Sequence, residues 1–185
     1  MYPNSTLRNL IRSLLLIITL GISSYSYCQP DYVFRNAVLE SGTALQVGAV
    51  YRFTDVKPGI DALVTITDIE KISLNQLDGP SGFDEAFQPY IFCPAKTKGY
   101  IEFRFDFVIG GTNTPQIMTE VPVTAIDIDG YEFPDEKLYE SDEFKTTASY
   151  YLDYDLLGSN LDINQSGGWV AAVNKSAITY DGIDT

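Results

Sequence analysis

The sequence of 185 residues contains no histidine. Histidine is the only side chain whose unperturbed pKa lies near neutrality, so its absence excludes Ser-His-Asp and Cys-His catalysis and histidine-ligated zinc. A carboxylate pair for glycoside hydrolysis could be drawn from the 25 acidic residues, but nothing in the sequence selects one. We therefore expect a protein that is not an enzyme.

Basic residues are scarce, with 12 Lys and Arg against 25 Asp and Glu. Two of them, Arg8 and Arg12, lie near the amino terminus, so the rest of the chain has 10 basic residues and a net charge of −15. Nucleic acid and anionic lipid are bound by neutralising phosphate with Lys and Arg, so a surface of this charge repels them. We exclude nucleic acid as a partner, whereas solubility outside the cell or cation binding suits the acidity.

Only two cysteines occur, Cys28 and Cys93. If export removes Cys28, Cys93 remains alone and a disulfide within the chain is excluded. Residues 90–94 (YIFCP) are an apolar setting, which favours a buried, unreactive Cys93 over a nucleophile.

One apolar run, residues 14–22, lies near the amino terminus. It follows Arg8 and Arg12 and precedes small and polar residues, which is the pattern of a cleaved secretory signal peptide. The run is shorter than the ~20 apolar residues of a membrane-spanning helix, so we expect no transmembrane segment in the mature chain. We assign residues 1–28 to the signal peptide and 29–185 to one secreted or cell-surface domain. Cleavage after Ser26, a retained anchor and a lipoprotein modified on Cys28 are the alternatives.

Beyond residue 28, apolar and polar residues alternate with a period of two, which predicts strands. The clearest case is 100–109, where Phe103, Phe105 and Phe107 share one face and are expected in the core. The stretch 130–145 is rich in acidic residues and short of apolar ones, and it is expected to form a long loop. The other predicted strands are 32–39, 44–53, 60–69, 86–92, 121–128, 149–156, 161–163 and 168–173.

These strands number eight or nine, are separated by Gly, Pro, Asn and Asp clusters, and are accompanied by no long helical period. The pattern predicts an all-β protein, specifically an antiparallel β-sandwich, with the jelly roll as one form of it.

An acidic stretch predicts a metal site. Asp127 and Asp129 alternate along a predicted strand and so share a face that leads into the Gly130 turn, with Asp135 close behind. Calcium takes six to eight oxygen ligands, which these carboxylates could begin to supply. The spacing is not that of an EF-hand loop. We predict structural calcium here, and a solvated strand end is the alternative.

Aromatic residues beside carboxylates predict a ligand-binding site at Tyr150, Tyr154 and Trp169. Aromatic rings can cover the C–H faces of sugars while acids accept hydrogen bonds from sugar hydroxyls. The alternative is that these rings line the core. Solvent exposure of the rings would favour sugar binding, and burial would favour a scaffold.

Several segments resemble the amino-terminal domain of large secreted surface proteins of gliding, Bacteroidota-type bacteria. They are residues 33–36 (VFRN), 41–53 (SGTALQVGAVYRF), 57–67 (KPGIDALVTIT), 121–130 (VPVTAIDIDG) and 167–170 (GGWV). Such proteins commonly carry adhesin-like repeats and a carboxyl-terminal sorting or gliding-motility-associated domain. The resemblance thus implies a cell-surface location and a chain that is truncated at its carboxyl end, and it implies no catalytic motif.

The functional hypothesis is a non-catalytic domain of a secreted or cell-surface protein that acts in adhesion or matrix interaction. Its partners would be extracellular glycans or surface proteins. The alternative is a carbohydrate-binding module of a secreted polysaccharide-degrading system.

The calcium prediction is tested by thermal unfolding. Because a ligand that binds only the native state raises its melting temperature, millimolar calcium should raise that temperature and EDTA should reverse the change. The double substitution of Asp127 and Asp129 by Asn should abolish the shift. An unchanged melting temperature in calcium would contradict the proposed site.

Overall fold

The computed structural model describes residues 32–79, 85–123, 128, 130–132, 137–145 and 161–175. All of them lie in one of the two units into which the chain divides, Asp31–Thr185. All secondary-structure elements in this part of the chain are strands, and all pairings between them are antiparallel. These findings confirm the all-β prediction. None of the described residues forms a helix long and apolar enough to cross a membrane.

The strands are β1 (Val38–Ser41), β2 (Val50–Lys57), β3 (Ile60–Glu70), β4 (Ser73–Gln76), β5 (Tyr90–Phe92), β6 (Tyr100–Ile109), β7 (Gly130–Glu132), β8 (Lys137–Tyr139), β9 (Ser141–Lys145), β10 (Leu161–Ser166) and β11 (Trp169–Asn174). Within the described residues they form four sheets. The largest has the order β1-β2-β3-β6, a second has the order β10-β11-β9, and β4-β5 and β7-β8 are two-stranded.

The start of β2 differs from the predicted strand 44–53, because the chain turns before it reaches Val50. Leu45 and Gly48 have φ angles of 60° and 88°, which an extended strand does not accommodate. The amide of Gln46 and that of Ala49 donate to Thr43 and Gln46 carbonyls, respectively, and close the turn. The alternation in 44–49 was therefore not the signature of a strand.

The expected long loop at 130–145 is also wrong, because β7, β8 and β9 lie within it. Every residue of β8 and β9 is exposed. Strands whose residues are exposed on both faces need no apolar alternation, so the period of two was missing from the sequence. The predicted strand 32–39 is strand only from Val38, and 121–123 are not strand. Residues 149–156 lie outside the described part of the chain.

The core lies on one face of the large sheet. Tyr51 and Phe53 of β2 pair with Val64 and Ala62 of β3, so all four side chains share that face. Each of them is buried, as is Ile66. On β6, Phe103, Phe105 and Phe107 pair with the same β3 residues and pack against this cluster from the sheet edge. The predicted core position is confirmed for Phe103 and Phe107 and is wrong for Phe105, which keeps 39% of its surface exposed at the sheet edge.

Two phenylalanines from outside the sheet cover this face. Phe34 lies 5.2 Å from Phe53 and 5.7 Å from Phe105 between ring centroids. Phe87 lies 5.1 Å from Phe103 and 5.2 Å from Phe105. All four contacts are edge-to-face, the arrangement that the aromatic quadrupole favours. The segments before β1 and before β5 are thereby held against the sheet.

A buried ion pair joins the strands at one end of the large sheet. Arg52 of β2 donates to Asp61 of β3 at 2.8 Å, and their side chains are 12% and 3% exposed. Arg52 also donates to both carboxylate oxygens of Glu40 in β1, and to the Thr112 carbonyl and the Asn113 side chain after β6. The guanidinium has five N–H donors, and each has an acceptor here.

The Asp61 carboxylate is equally well satisfied. Its oxygens accept hydrogen bonds from the backbone amides of Asp55 at 3.0 Å and Gly111 at 2.9 Å. Burial acts to raise the pKa of Asp61, but the two amides and Arg52 outweigh it and the pKa is lowered. The hydrogen bond to Glu40, acting against burial, raises the pKa of Arg52. Both groups therefore stay charged, and they connect β1, β2, β3 and the turn after β6.

Asp61→Asn should destabilise the domain by about 3 kcal/mol, because Arg52 and two amides lose the negative acceptor in a buried site. Asp106→Asn is the matched control, since Asp106 pairs with Arg104 on the exposed part of the same sheet. It should change the free energy of unfolding by less than about 0.5 kcal/mol. Urea unfolding measures both, and equal effects would contradict the assigned role of Asp61.

The same carboxylate predicts a pH dependence. Because the pKa of Asp61 is lower in the folded chain than in the unfolded chain, the unfolded chain binds the proton first as the pH falls. The contribution of Asp61 is therefore complete above about pH 5 and is lost as the pH falls below about 4. The difference in unfolding free energy between wild type and Asp61→Asn should therefore become smaller as the pH is lowered from about 5 to below about 4. A difference that stays constant down to about pH 2 would contradict the prediction.

Candidate binding surface

The ribbon formed by β4 and β5 presents apolar side chains to solvent. Leu74 of β4 pairs with Ile91 of β5, and Leu74 points into the core with an exposed fraction of 6%. Successive strand residues point to opposite faces, so the neighbours of Ile91 are directed outward. Tyr90 and Phe92 are 63% and 56% exposed, and Ile91 itself is 41% exposed. All three residues of β5 thus offer apolar surface.

The outer face of the ribbon also carries polar groups. Ser73 pairs with Phe92 and Gln76 pairs with Tyr90 across the ladder, so each polar side chain stands beside an aromatic ring. Both polar residues are exposed. We call Ser73, Gln76, Tyr90 and Phe92 the ribbon face.

Hydrogen bonds hold the ribbon in shape at its Tyr90 end. The Gly79 amide donates to the Gln88 carbonyl at 2.7 Å, and the Gln88 amide donates to the Asp78 carboxylate at 3.1 Å. The side chain of Gln76 donates to the Asp78 carbonyl at 3.0 Å. The ribbon face is therefore largely ordered before any partner arrives, which lowers the entropic cost of binding.

A short basic loop, residues 93–99, follows the Phe92 end of the ribbon. The Thr97 amide donates to the Pro94 carbonyl at 3.2 Å, and the Cys93 thiol lies 3.5 Å from the Thr97 carbonyl, so the loop folds back on the end of β5. Lys96 and Lys98 are both exposed. No acidic residue occurs between Glu85 and Glu102.

Gly99 places the end of this loop against the end of β3 and against Ile72, which lies between β3 and β4. A side chain at Gly99 would lie 2.6 Å from the Cγ2 of Ile72 and 2.2 Å from the Glu70 carbonyl oxygen. Only glycine allows this approach, because any Cβ would overlap the neighbouring backbone. The basic loop is thus fixed beside Ser73 and Phe92.

Tyr100 marks the acidic border of this surface. Its hydroxyl donates to the Asp68 carboxylate at 2.7 Å. This hydrogen bond, helped by the charges of Asp68, Glu70 and Glu102, raises the pKa of Tyr100 to about 12. Asp68, Glu70 and Glu102 therefore place negative charge around Tyr100, the residue that directly follows the basic loop.

Cys93 lies on this surface. The prediction of a buried thiol is wrong, because Cys93 is exposed. The apolar neighbours at 90–92 suggested burial, but β5 belongs to a two-stranded ribbon in which only the side of Leu74 is covered. Apolar residues at consecutive positions of a strand require one face to be exposed unless both faces are packed. An unbroken apolar stretch is equally the pattern of a strand that is buried on both faces, so the sequence did not identify Tyr90 and Phe92 as exposed.

Trp169 begins β11 and is half-buried. It shares a sheet face with its cross-strand partners Lys145 of β9 and Ser166 of β10. The Nζ atom of Lys145 lies 5.3 Å from the centre of the Trp169 ring, within the range of a cation–π contact. The opposite face of β11 carries the buried Val170. Trp169 therefore stands among polar neighbours rather than in the apolar core.

The other residues selected from the sequence lie outside the described part of the chain. They are Asp127, Asp129, Asp135, Tyr150 and Tyr154. Among the residues that are described, no cluster of three or more His, Cys, Asp or Glu side chains could hold a metal ion. Calcium binding at Asp127 and Asp129 stays a prediction.

An open groove of about 490 Å³ runs beside β6. It is lined by Leu63, Phe105, Asp106, Phe107, Val108, Asn113, Pro115, Gln116 and Met118. Its polar side chains already have partners: Asn113 accepts from Arg52, Asp106 accepts from Arg104, and Gln116 donates to the Ile117 carbonyl. Ligand sites combine apolar walls with polar groups that converge on the ligand. Ser73 and Gln76 of the ribbon face also have partners within the chain, but they stand beside two exposed aromatic rings, which makes the ribbon face the stronger candidate.

Comparison with known proteins adds no relative: no protein-family model, no curated protein and no solved structure matches this chain.

Proposed function

We propose that this chain is a non-catalytic domain of a secreted or cell-surface protein, and that it acts in adhesion or matrix interaction through the ribbon face. The observation that carries the proposal is the exposure of two aromatic residues, Tyr90 and Phe92, on the same face of an anchored ribbon. Exposed apolar clusters on a soluble domain mark interaction sites. Tyrosine and phenylalanine are among the residues that protein interfaces favour.

The absence of catalysis in this proposal rests on the composition of the chain. A histidine-dependent mechanism has no residue to use. The deeply buried carboxylate of Asp61 holds Arg52 and two backbone amides, and its lowered pKa suits a permanent charge rather than proton transfer at neutral pH.

Export is part of the same proposal. The apolar run at 14–22 after Arg8 and Arg12 supports a cleaved signal peptide. The resemblance to amino-terminal domains of secreted surface proteins supports a location at the cell surface. An acidic chain with a net charge of −15 after residue 28 is suited to solubility there.

We further propose that the domain is an antiparallel β-sandwich. Support comes from the core face of the large sheet, which is covered by Leu74 of the β4–β5 ribbon and by Leu77. A second layer packed on one sheet face is the defining feature of a sandwich. The jelly-roll form stays a prediction.

The proposed function is tested with beads that carry the secreted chain. Beads with the wild-type chain should be retained on a surface coated with the matrix that the producing cells shed. The double variant Tyr90→Ser with Phe92→Ser should lose most of this retention, roughly tenfold or more, because both central rings are removed. Ile117→Ser is the matched control, since Ile117 is 88% exposed and lies away from β5.

Melting temperatures of both variants should stay close to the wild-type value, since the replaced side chains are exposed. Equal retention of the wild-type chain and the double variant would overturn the assignment of the ribbon face. Absence of retention for the wild-type chain would overturn the adhesive function.

The alternative proposal is a carbohydrate-binding module of a secreted polysaccharide-degrading system. The half-buried ring of Trp169 among polar neighbours favours it, because a ring at the surface can stack on a sugar. In the same bead assay, this function requires Trp169→Ala to abolish retention while the ribbon variant retains it. The adhesive function requires the reverse.

A further inference from the structure

The geometry points to an anionic polysaccharide as the ligand of the ribbon face. In this arrangement sugar rings lie against Tyr90 and Phe92, and the carboxylate or sulfate groups of the polymer lie toward Lys96 and Lys98. The inference rests on the proposed function and adds the chemical class of its ligand.

The two aromatic rings are spaced for a chain of sugars. Tyr90 and Phe92 are alternate residues of β5, so they project from the same face about 7 Å apart along the strand. Each is more than half exposed, so each offers a ring to a partner. The C–H faces of pyranose rings pack on aromatic rings of this kind, and a polymer can contact both at once.

The polar half of the ribbon favours sugar over lipid. Ser73 and Gln76 supply a hydroxyl and an amide next to the rings, and a polysaccharide offers hydroxyls that can hydrogen-bond to them. Ser73 already donates to Asn75 and Gln76 to the Asp78 carbonyl, so sugar hydroxyls would donate to the oxygens of these two side chains, and lipid tails offer no donor for them. The ribbon face therefore suits a ligand with both apolar and hydroxyl surface.

Charge favours an acidic polymer over a neutral one. Although the chain has a net charge of −15 after residue 28, residues 86–101 contain two lysines and no acid. Lys96 and Lys98 lie on the loop that Cys93 and Gly99 hold against the Phe92 end of the ribbon. Both lysines are exposed, so anionic groups of a polymer that lies on Tyr90 and Phe92 can approach them.

The first test is affinity electrophoresis of the secreted chain in gels that contain polygalacturonate, dextran sulfate or unmodified dextran. Polygalacturonate or dextran sulfate should retard the wild-type chain, and dextran should not. Comparing the two charged polymers distinguishes carboxylate from sulfate as the preferred group. Added salt should weaken the retardation, because the lysine contacts are exposed.

Variants separate the ring contacts from the charge contacts. Tyr90→Ser with Phe92→Ser should lower the affinity roughly tenfold, and Lys96→Gln with Lys98→Gln should lower it roughly fivefold. Lys137→Gln with Lys175→Gln is the matched charge control, because it removes the same charge from the β7–β8 and β11 regions. This control should retain the wild-type affinity.

Three results would overturn the inference: equal binding of dextran, equal loss of affinity in both lysine double variants, or no effect of the ring substitutions. Binding to vesicles of phosphatidylglycerol and phosphatidylethanolamine instead of polysaccharide would assign the ribbon face to a membrane. If beads adhere to matrix through the ribbon face but no charged polysaccharide binds, the adhesive function stands and the ligand class is wrong.

Discussion

The ion pair between Arg52 and Asp61 is the interaction on which the large sheet most depends. The Arg52 guanidinium has five acceptors and the Asp61 carboxylate has three donors. All of these hydrogen bonds can form together only where the surrounding backbone is held in a fixed position. Here the acceptors and donors come from β1, β2, β3 and the turn after β6, so one polar cluster sets the relative positions of all four strands at that end. Removing Asp61 would take the negative acceptor from Arg52 and from two backbone amides in a buried site, which is why its cost exceeds that of losing an exposed pair.

The aromatic cluster packs further segments of the chain against the sheet whose strands the ion pair connects. Phe34 and Phe87 pack edge-to-face on the phenylalanines of the sheet, and this holds the segment that leads into β5. Leu74 anchors β4 in the same core. With Leu74 turned inward, strand geometry directs Tyr90 and Phe92 outward. The candidate binding surface is therefore a consequence of core packing: the residues that stabilise the domain also determine which rings remain exposed.

A strand with one apolar face, such as β6, was predictable from the sequence, and the fully exposed strands β8 and β9 were not. The phenylalanines of β6 alternate because one face of that strand packs on the core, and the sequence records this directly. β8 and β9 are exposed on both faces, so no periodicity distinguished them from a loop. Before β2, the apolar residues Leu45 and Val47 alternate with polar or small residues by chance. They lie in a turn in which Leu45 and Gly48 have positive φ angles. Periodicity thus reports burial, and only indirectly reports backbone conformation.

Composition and local residue order are enough to identify the class of the protein. An absence of histidine, an excess of acid and a period of two limit it to an acidic β protein without histidine chemistry, because these properties depend on composition and local order. Which apolar residues are available to a partner depends instead on how the folded chain packs. Tyr90, Phe92 and Cys93 lie in an apolar stretch of a kind that also occurs in buried strands. Their exposure depends on whether another layer of the fold covers β5. That depends on contacts between residues far apart in the chain, which no local pattern encodes.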